Sequence, residues 1–394
     1  MARRVAVFTG NRAEYGLQFP IIQAISEDPR FEYYLLVSGA HLDEAFGRTQ
    51  EEIEADGFHV YQEVKLEMEK DTLYATARAI ATGILSLSQI LEDLRPDLLI
   101  VYADRFEAFS AVITGTQMGI PTAHIEGGDI TEGGALDDSV RHAMTKLAHL
   151  HFTTNEEAAA RVRALGEEDW RVFNVGFPAI DLITRGMLAS PKELEERFGI
   201  DCQQPLIVCT QHSIATEFEK APEQVSPTLE ALEILAEDGC QVIITYPNND
   251  AGGRRIIREI EALASRRVPG IQVHKSVGRY AYLGLLNLCG KAGRGVCVGN
   301  SSSGIKETPA FGCPTVDIGP RQQGRLRAEN VLEVGYDRQS IIEAIKRALW
   351  DEEFRDLCRN SKNPYGVGDA GTKIAEVLAT VELDSRLIQK RCTI

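Results

Sequence analysis

The chain has 394 residues, 44% hydrophobic and 25% charged, a length that exceeds one ordinary core and favours two domains of comparable size. With 58 acidic against 42 basic residues the net charge is −16, which excludes nucleic acid and anionic membrane as partners because both need a basic footprint. Eight cysteines without a CxxC pair exclude a zinc ribbon or disulfide framework in favour of reduced, buried thiols. MARRVAVFTG enters a strand at once, with neither a signal peptide nor a membrane span, so the protein is read as cytoplasmic.

In chain order, RVAVFTG predicts a first strand, followed by a helix over Tyr15–Ser26, a strand at YYLLVSG and a helix from His41 to Ala55. A long apolar helix over Thr72–Leu94 precedes the strand DLLIVYAD, a helix over Arg105–Met118, the strand PTAHIEGG, a helix from Asp138, and strands at HFTTN and VFNVG. The rhythm restarts with PLIVCTQH, QVIITYP, IQVHKSV, GVCVGN and PTVDIG, each followed by a helical segment. Short β-branched runs alternating with helices give an α/β fold of two Rossmann-like, doubly wound parallel-sheet domains. The seam falls in GFPAIDLITRGMLASP, between Gly176 and Pro191. The expected domains are 1–180 and 181–394, with the C-terminal tail packing back on the first. Ligands bind beyond the carboxyl ends of such strands, so two facing sheets would enclose one cleft.

The richest segment is HIEGGDITEGGALDDSVRHAMTKLAHLH, from His124 to His151, where Glu126, Asp129, Glu132, Asp137 and Asp138 crowd beside a single arginine, Arg141. Asp104 ends the preceding strand. Carboxylates gathered at strand ends repel and desolvate one another, which raises some of their pKa values and suits them to proton transfer. Asp137 or Asp138 also fits a helix N-cap. Val140, Ala143, Met144, Leu147 and Ala148 make an apolar stripe, leaving Asp138, Arg141, His142 and Thr145 on the opposite face. His212 ends the first strand of the second half and would face the acids across the cleft.

GVCVGNSSSGIKE sets Ser301, Ser302, Ser303 and Gly304 between a strand and a helix N-terminus, the form of a phosphate cradle. Glu307, one turn further, suits ribose hydroxyls. Arg12, just after the first strand, can fork onto a phosphate, while Arg321, Arg325 and Arg327 follow the strand PTVDIG. A GxxxxGK[ST] motif is absent, and GRGVCVG carries its strand inside the glycine pattern, so neither an ATPase P-loop nor a dinucleotide cofactor is supported. No His/Cys/Asp cluster has ligand spacing, and neither metal nor cofactor is expected.

The motifs TGNRAEYG, SGAHL, ADRFE, HIEGGD, DDSVRHAMTKLAHLHF, NVGFP, NNDAGG, GNSSSGIKE and RQQGR follow one another over nearly the whole chain. In that order they resemble the UDP-N-acetylglucosamine 2-epimerase family, specifically its hydrolysing branch in sialic acid and related nonulosonate synthesis. The resemblance implies a GT-B-like pair of Rossmann-like halves, with UDP held mainly by the second, and a homodimer or homotetramer. It implies C2 deprotonation, anti elimination of UDP to a 2-acetamidoglucal, and hydration to free N-acetylmannosamine. By motif, Asp104, Glu126 and Asp137 look like the catalytic acids, with the C2 base among them unassigned. His212 looks like the catalytic or diphosphate-binding histidine and Arg141 like a substrate-orienting cation. Arg12, Ser301, Ser302, Ser303, Gly304 and Glu307 look like diphosphate and ribose ligands, with His41 and Arg321 as further substrate ligands.

The chain departs from the family pattern around the sugar. Asn11 stands where threonine is common, Ala103 where glycine usually precedes the aspartate, and Ser213 where proline is frequent, and the acid loop is longer. These changes leave room for a UDP- or GDP-linked 2,4-diacetamido sugar of the legionaminic acid type. Rival readings are a non-hydrolysing 2-epimerase, against which DDSVRH in place of PEExxR counts, a GT-B glycosyltransferase, which would need an acceptor, and a non-catalytic sugar-binding protein.

Overall fold

The buried apolar runs of the sequence become strands. The structure, a computed structural model, describes residues 2–42, 49–68, 72–130, 136–248 and 250–394. Among them, β1 (Arg3–Thr9), β2 (Phe31–Ser38), β3 (Val60–Val64), β4 (Leu98–Tyr102), β5 (Thr122–Ile125), β6 (Leu150–Thr153) and β7 (Val172–Asn174) form a parallel sheet ordered β3-β2-β1-β4-β5-β6-β7. A second parallel sheet, ordered β10-β9-β8-β11-β12-β13, contains β8 (Leu206–Thr210), β9 (Gln241–Thr245), β10 (Ile271–His274), β11 (Gly295–Gly299), β12 (Thr315–Ile318) and β13 (Val331–Val334). β4, β8 and β11 are buried along their whole length, as helices on both faces of a parallel sheet require. The α/β class with two Rossmann-like, doubly wound sheets is therefore observed.

Where the elements depart from expectation, the cause is local. β3 and β13 were not predicted: both are edge strands whose partly exposed residues break the apolar run. The helix expected over His41–Ala55 is a short 3₁₀ turn at Gly39–His41 and a helix at Gln50–Ala55, with 43–48 outside the described residues. The seam contains helix Ala179–Thr184, and helix Pro191–Phe198 follows, opened by a Ser190–Glu193 capping box. No helix among the described residues is long and apolar enough to cross a membrane.

Two compact units result, one of residues 2–130, 136–184 and 365–394, the other of 185–364. The last thirty residues join the first unit through polar anchors. Buried Asp181 accepts from the amides of Ala370 (3.0 Å) and Gly371 (2.8 Å) at the start of helix Ala370–Thr380. Arg3 donates to the Leu378 carbonyl at 2.7 Å. Within this unit Phe8, Val101, Leu87, Leu91 and Met144 share one core.

Candidate active site

In each sheet the strand order reverses once, between β1 and β4 in the first and between β8 and β11 in the second. Those switch points are where open α/β sheets leave a crevice beyond the strand ends. Asn11 and Asp104 follow β1 and β4, Glu126 follows β5, and in the other unit His212 follows β8 and Ser301 follows β11. The sequence placed its candidates at strand carboxyl ends for this reason.

The turn that carries Asp104 is strained. Ala103 has φ 53°, in the left-handed region that favours glycine, and it is held there from two sides. Its N–H donates to the Ile125 carbonyl at 2.9 Å, and its carbonyl accepts from His124 Nε2 at 2.6 Å. His124 is fully buried, and burial pushes its pKa down to about 3, so the ring is neutral at physiological pH. A carbonyl can only accept, so the proton sits on Nε2 and Nδ1 is left facing Thr145 Oγ1 at 3.2 Å. Glu126, one strand over, is also left-handed at φ 66° and is 4% exposed. Two residues on, Gly128 (φ 80°) packs so closely that a Cβ would run into the Ala158 carbonyl.

Arg141 joins the acids. Its guanidinium is fully buried and ion-paired with Asp104 and with Asp138, the latter at 2.8 Å, and Nη1 donates to the Asp129 carbonyl at 2.7 Å. Arg141, expected as a substrate-orienting cation, is held by these partners, which tie helix Asp137–Leu147 to the Asp104 turn. Helix capping by Asp137 or Asp138 is corrected. The N-cap is Leu136, without a side-chain cap bond; both aspartates lie in the first turn, and Asp138 is spent on Arg141. Asp137 remains half-buried at the helix start. Arg141 and Thr145 are more buried than Val140 or Leu147, so the polar face predicted for this helix is an inner face. Asp129 accepts from Thr154 Oγ1 (3.0 Å) and Asn155 Nδ2 (3.3 Å), and Glu132 lies outside the described residues.

His41, expected as a further substrate ligand, sits just after β2. It is fully buried, with Nε2 3.1 Å from Thr9 Oγ1 and Nδ1 2.8 Å from Thr49 Oγ1, and so braces the ends of β1 and β2. Arg12 opens helix Arg12–Glu27, but its side chain lies outside the described residues.

In the second unit the Asn300 side chain clamps His212. Oδ1 accepts from His212 N–H at 2.6 Å and Nδ2 donates to the His212 carbonyl at 2.9 Å. The ring is oriented by the Asn248 amide, which donates to Nδ1 at 3.1 Å; neutral His212 therefore carries its proton on Nε2. The Asn300 carbonyl accepts from Arg321 Nη1 (3.1 Å) and Gln322 Nε2 (2.8 Å), and Arg321 lies 4.0 Å from Asp250. The serines are chained to each other. Ser303 Oγ donates to Ser301 Oγ at 3.2 Å and lies 2.6 Å from the Tyr282 hydroxyl, while Ser302 precedes helix Ser303–Lys306. That helix is a single turn holding Gly304, and a second one, Thr308–Phe311, begins after Glu307. The expected helix is thus broken at Glu307, which is buried. Gly299 (φ 121°) lets this turn approach β8, since a Cβ there would meet the Thr210 carbonyl. Arg327 pairs with buried Asp317 at 3.1 Å, and burial pushes Asp317 up to about 6 against that pairing.

Sequence reasoning missed His124, Thr145, Asn300 and Tyr282 as members of the two sites. Polar residues in or beside buried strands were the available signal for His124 and Asn300; Tyr282, a helical residue distant in sequence, offered none. Glu14 was missed as well. It is buried beneath the β1 turn, accepts from the Gly10 amide at 3.3 Å and Gln18 Nε2 at 2.8 Å, and is held well above the usual carboxylate range by burial and by Glu107.

The family profile described as UDP-N-acetylglucosamine 2-epimerase matches residues 23–379. The chain is 29% identical over 390 residues to the UDP-N,N'-diacetylbacillosamine 2-epimerase (hydrolyzing) of Legionella pneumophila, covering 99% of both chains. It is 31% identical over 331 residues to the GDP/UDP-N,N'-diacetylbacillosamine 2-epimerase (hydrolyzing) of Campylobacter jejuni, covering 84% of each. Among solved structures, the UDP-GlcNAc 2-epimerase of Neisseria meningitidis bound to UDP-GlcNAc superposes with a TM-score of 0.78 at 20% identity, covering 95% of this chain and 99% of that one; this likeness speaks for the fold. With a profile match over nearly all of its length, this chain belongs to the UDP-N-acetylglucosamine 2-epimerase family.

Proposed function

We propose that the protein is a hydrolysing nucleotide-sugar 2-epimerase that converts UDP-N-acetylglucosamine and water to N-acetylmannosamine and UDP. The observation that carries the reading is the Arg141-bridged acid cluster, whose Asp104 follows β4 at the sheet's switch point, with Glu126 kept on a strained turn after the neighbouring strand β5. A weakly acidic C2–H bond must lose its proton to a carboxylate while the C1–O bond breaks and its electron pair leaves on the diphosphate. Water then adds to C1 of the glycal and a proton returns to C2 from the other face. Asp104, Glu126 and Asp137 are the proposed proton-transfer groups. His212, whose neutral ring carries its proton on Nε2, is the proposed donor to the departing diphosphate. Ser301, Ser302, Ser303, Gly304, Arg12 and Arg321 are the proposed diphosphate ligands, and Glu307 the ribose ligand. The word hydrolyzing in two relatives' names supports release of free sugar.

Those same names favour a second substrate, a UDP- or GDP-linked 2,4-diacetamido sugar. One assay separates the readings: each nucleotide sugar is incubated in D₂O, and products are followed by proton NMR. The expected result is one free 2-epimer per nucleoside diphosphate released, deuterated at C2. Asp104→Asn, Glu126→Gln and Asp137→Asn should each lower kcat by about 10²–10⁴-fold with the fold intact. A product that keeps its diphosphate would overturn hydrolysis, and full activity in any two variants would overturn the assignment.

A further inference from the structure

A helix ends with carbonyls that have no partner inside it. At helix Asp137–Leu147 some of them, and the carbonyl of the C-cap Ala148, are satisfied from the far end of the chain. Lys390 Nζ donates to the carbonyls of Ala148 at 2.6 Å, Lys146 at 2.7 Å and, more weakly, Thr145 at 3.4 Å. The single proton of Thr116 Oγ1 is shared between the Val112 carbonyl at 2.7 Å and the Leu147 carbonyl at 3.1 Å. A cation at this terminus also meets the negative end of the helix dipole.

The ammonium is held by a buried counter-charge. Lys390 Nζ lies 2.7 Å from Glu167 Oε2, which His151 Nε2 approaches to 2.9 Å, while Lys146 Nζ meets Oε1 at 2.6 Å. Burial works to raise the Glu167 pKa, but the hydrogen bonds from His151, Lys146 and Lys390 hold it at about 2. The tail itself is fixed independently of Lys390. Leu387 is fully buried, and the buried Arg171 guanidinium donates to the carbonyls of Arg386 at 2.6 Å and Leu387 at 2.7 Å. The Trp170 ring has the Arg171 and Arg386 guanidinium carbons 4.2 and 4.4 Å from its centroid. The chain is therefore fastened just before Lys390, and the lysine is presented to the helix end.

What the cap holds leads to the acids. The last turn carries Thr145, whose hydroxyl donates to the Arg141 carbonyl at 3.0 Å or meets His124 Nδ1 at 3.2 Å. His124 in turn holds the Ala103 carbonyl, next to Asp104. We infer that the C-terminal tail is a positioning element of the acid cluster: Lys390 caps helix Asp137–Leu147 and thereby fixes Arg141, Thr145, His124 and the Asp104 turn. Lys390 is a positioning residue, and the inference rests on the proposed catalytic role of the acids.

The test uses the full chain and compares Lys390→Met, Lys390→Arg and Thr116→Val by steady-state kinetics with UDP-N-acetylglucosamine and by hydrogen exchange over residues 143–148. Lys390→Met is expected to lower kcat about tenfold with KM within about twofold, and to speed exchange in that segment about tenfold. Lys390→Arg, which keeps the charge, should recover kcat to within about threefold of wild type. Thr116→Val should move both quantities in the same direction, and it carries the test if Lys390→Met does not fold. Wild-type kcat in a variant whose exchange is faster would reduce Lys390 to a fold staple and overturn the inference. If the wild-type chain turns over no nucleotide sugar, the functional reading fails separately, and exchange alone decides the cap: faster supports it, unchanged overturns it.

Discussion

Ala103 and Glu126 are two of five non-glycine residues with positive φ among the described residues, and both flank the acid cluster. Such a conformation costs about 1–3 kcal/mol and persists only where the surroundings enforce it. At Ala103 the enforcement is visible in the His124 and Ile125 bonds, while its methyl group has no role in the proposed chemistry. Ala103→Gly should therefore raise the unfolding free energy by about 1 kcal/mol, the left-handed penalty less the extra entropy of an unfolded glycine. Urea denaturation measures this directly. A variant no more stable than wild type would mean that the turn is relaxed. Glu126 cannot be relieved in this way without losing its carboxylate, so a residue that strains the backbone is retained where the proposed chemistry needs it.

Helix Asp137–Leu147 depends on its middle residue. Arg141 neutralises Asp104 and Asp138 from a fully buried position and satisfies the Asp129 carbonyl. Arg141→Met keeps the length and removes the charge, leaving two poorly solvated carboxylates without their cation. A loss of about 3 kcal/mol is expected, with Arg141→Lys intermediate because a point charge cannot fork. Equal stability of the Met variant and wild type in urea would refute the bridge. This helix also marks the limit of what could be read from sequence. Continuous apolar runs such as LLIVY and LIVCT identified the central strands directly, and position after a strand located Asp104, Glu126 and His212. The pattern put Asp138, Arg141, His142 and Thr145 on the face opposite the apolar stripe, without showing that Arg141 and Thr145 are buried there. Periodicity assigns apolar residues to the core but cannot foresee that a buried ion pair turns a charged face inward. The same limit hid the contacts of His41 with Thr9 and Thr49, and the edge strands β3 and β13 had no apolar run to betray them.

At the scale of the molecule, the buried histidines decide the response to acid. His124, His149 and His151 all belong to the first unit, and burial pushes them to about 3, 4 and 4. His149 also accepts the Thr122 amide on Nδ1 at 3.0 Å, which a protonated nitrogen could not do. The unfolded chain takes up these protons near pH 6.5 and the folded chain only near 3–4, so between those values the unfolded state binds more protons and stability rises with pH. The stabilisation is complete above pH 6.5 and is lost as pH falls toward 4, by roughly 2 kcal/mol per histidine at pH 5, or about 6 kcal/mol in all. Glu167, held at about 2, extends the loss below pH 4.5. Protonating carboxylates reduces the net charge of −16 and its self-repulsion, which works in the opposite direction but acts on exposed groups in high dielectric. Urea unfolding at pH 7.5 and pH 5 is therefore expected to show the first unit losing several kcal/mol. Because Lys390, Glu167 and His151 lie in that unit, the protons that destabilise it also reach the group that holds the helix cap. Unfolding midpoints that agree at the two pH values would mean that these histidines are solvated, and would remove the buried base on which the cap rests.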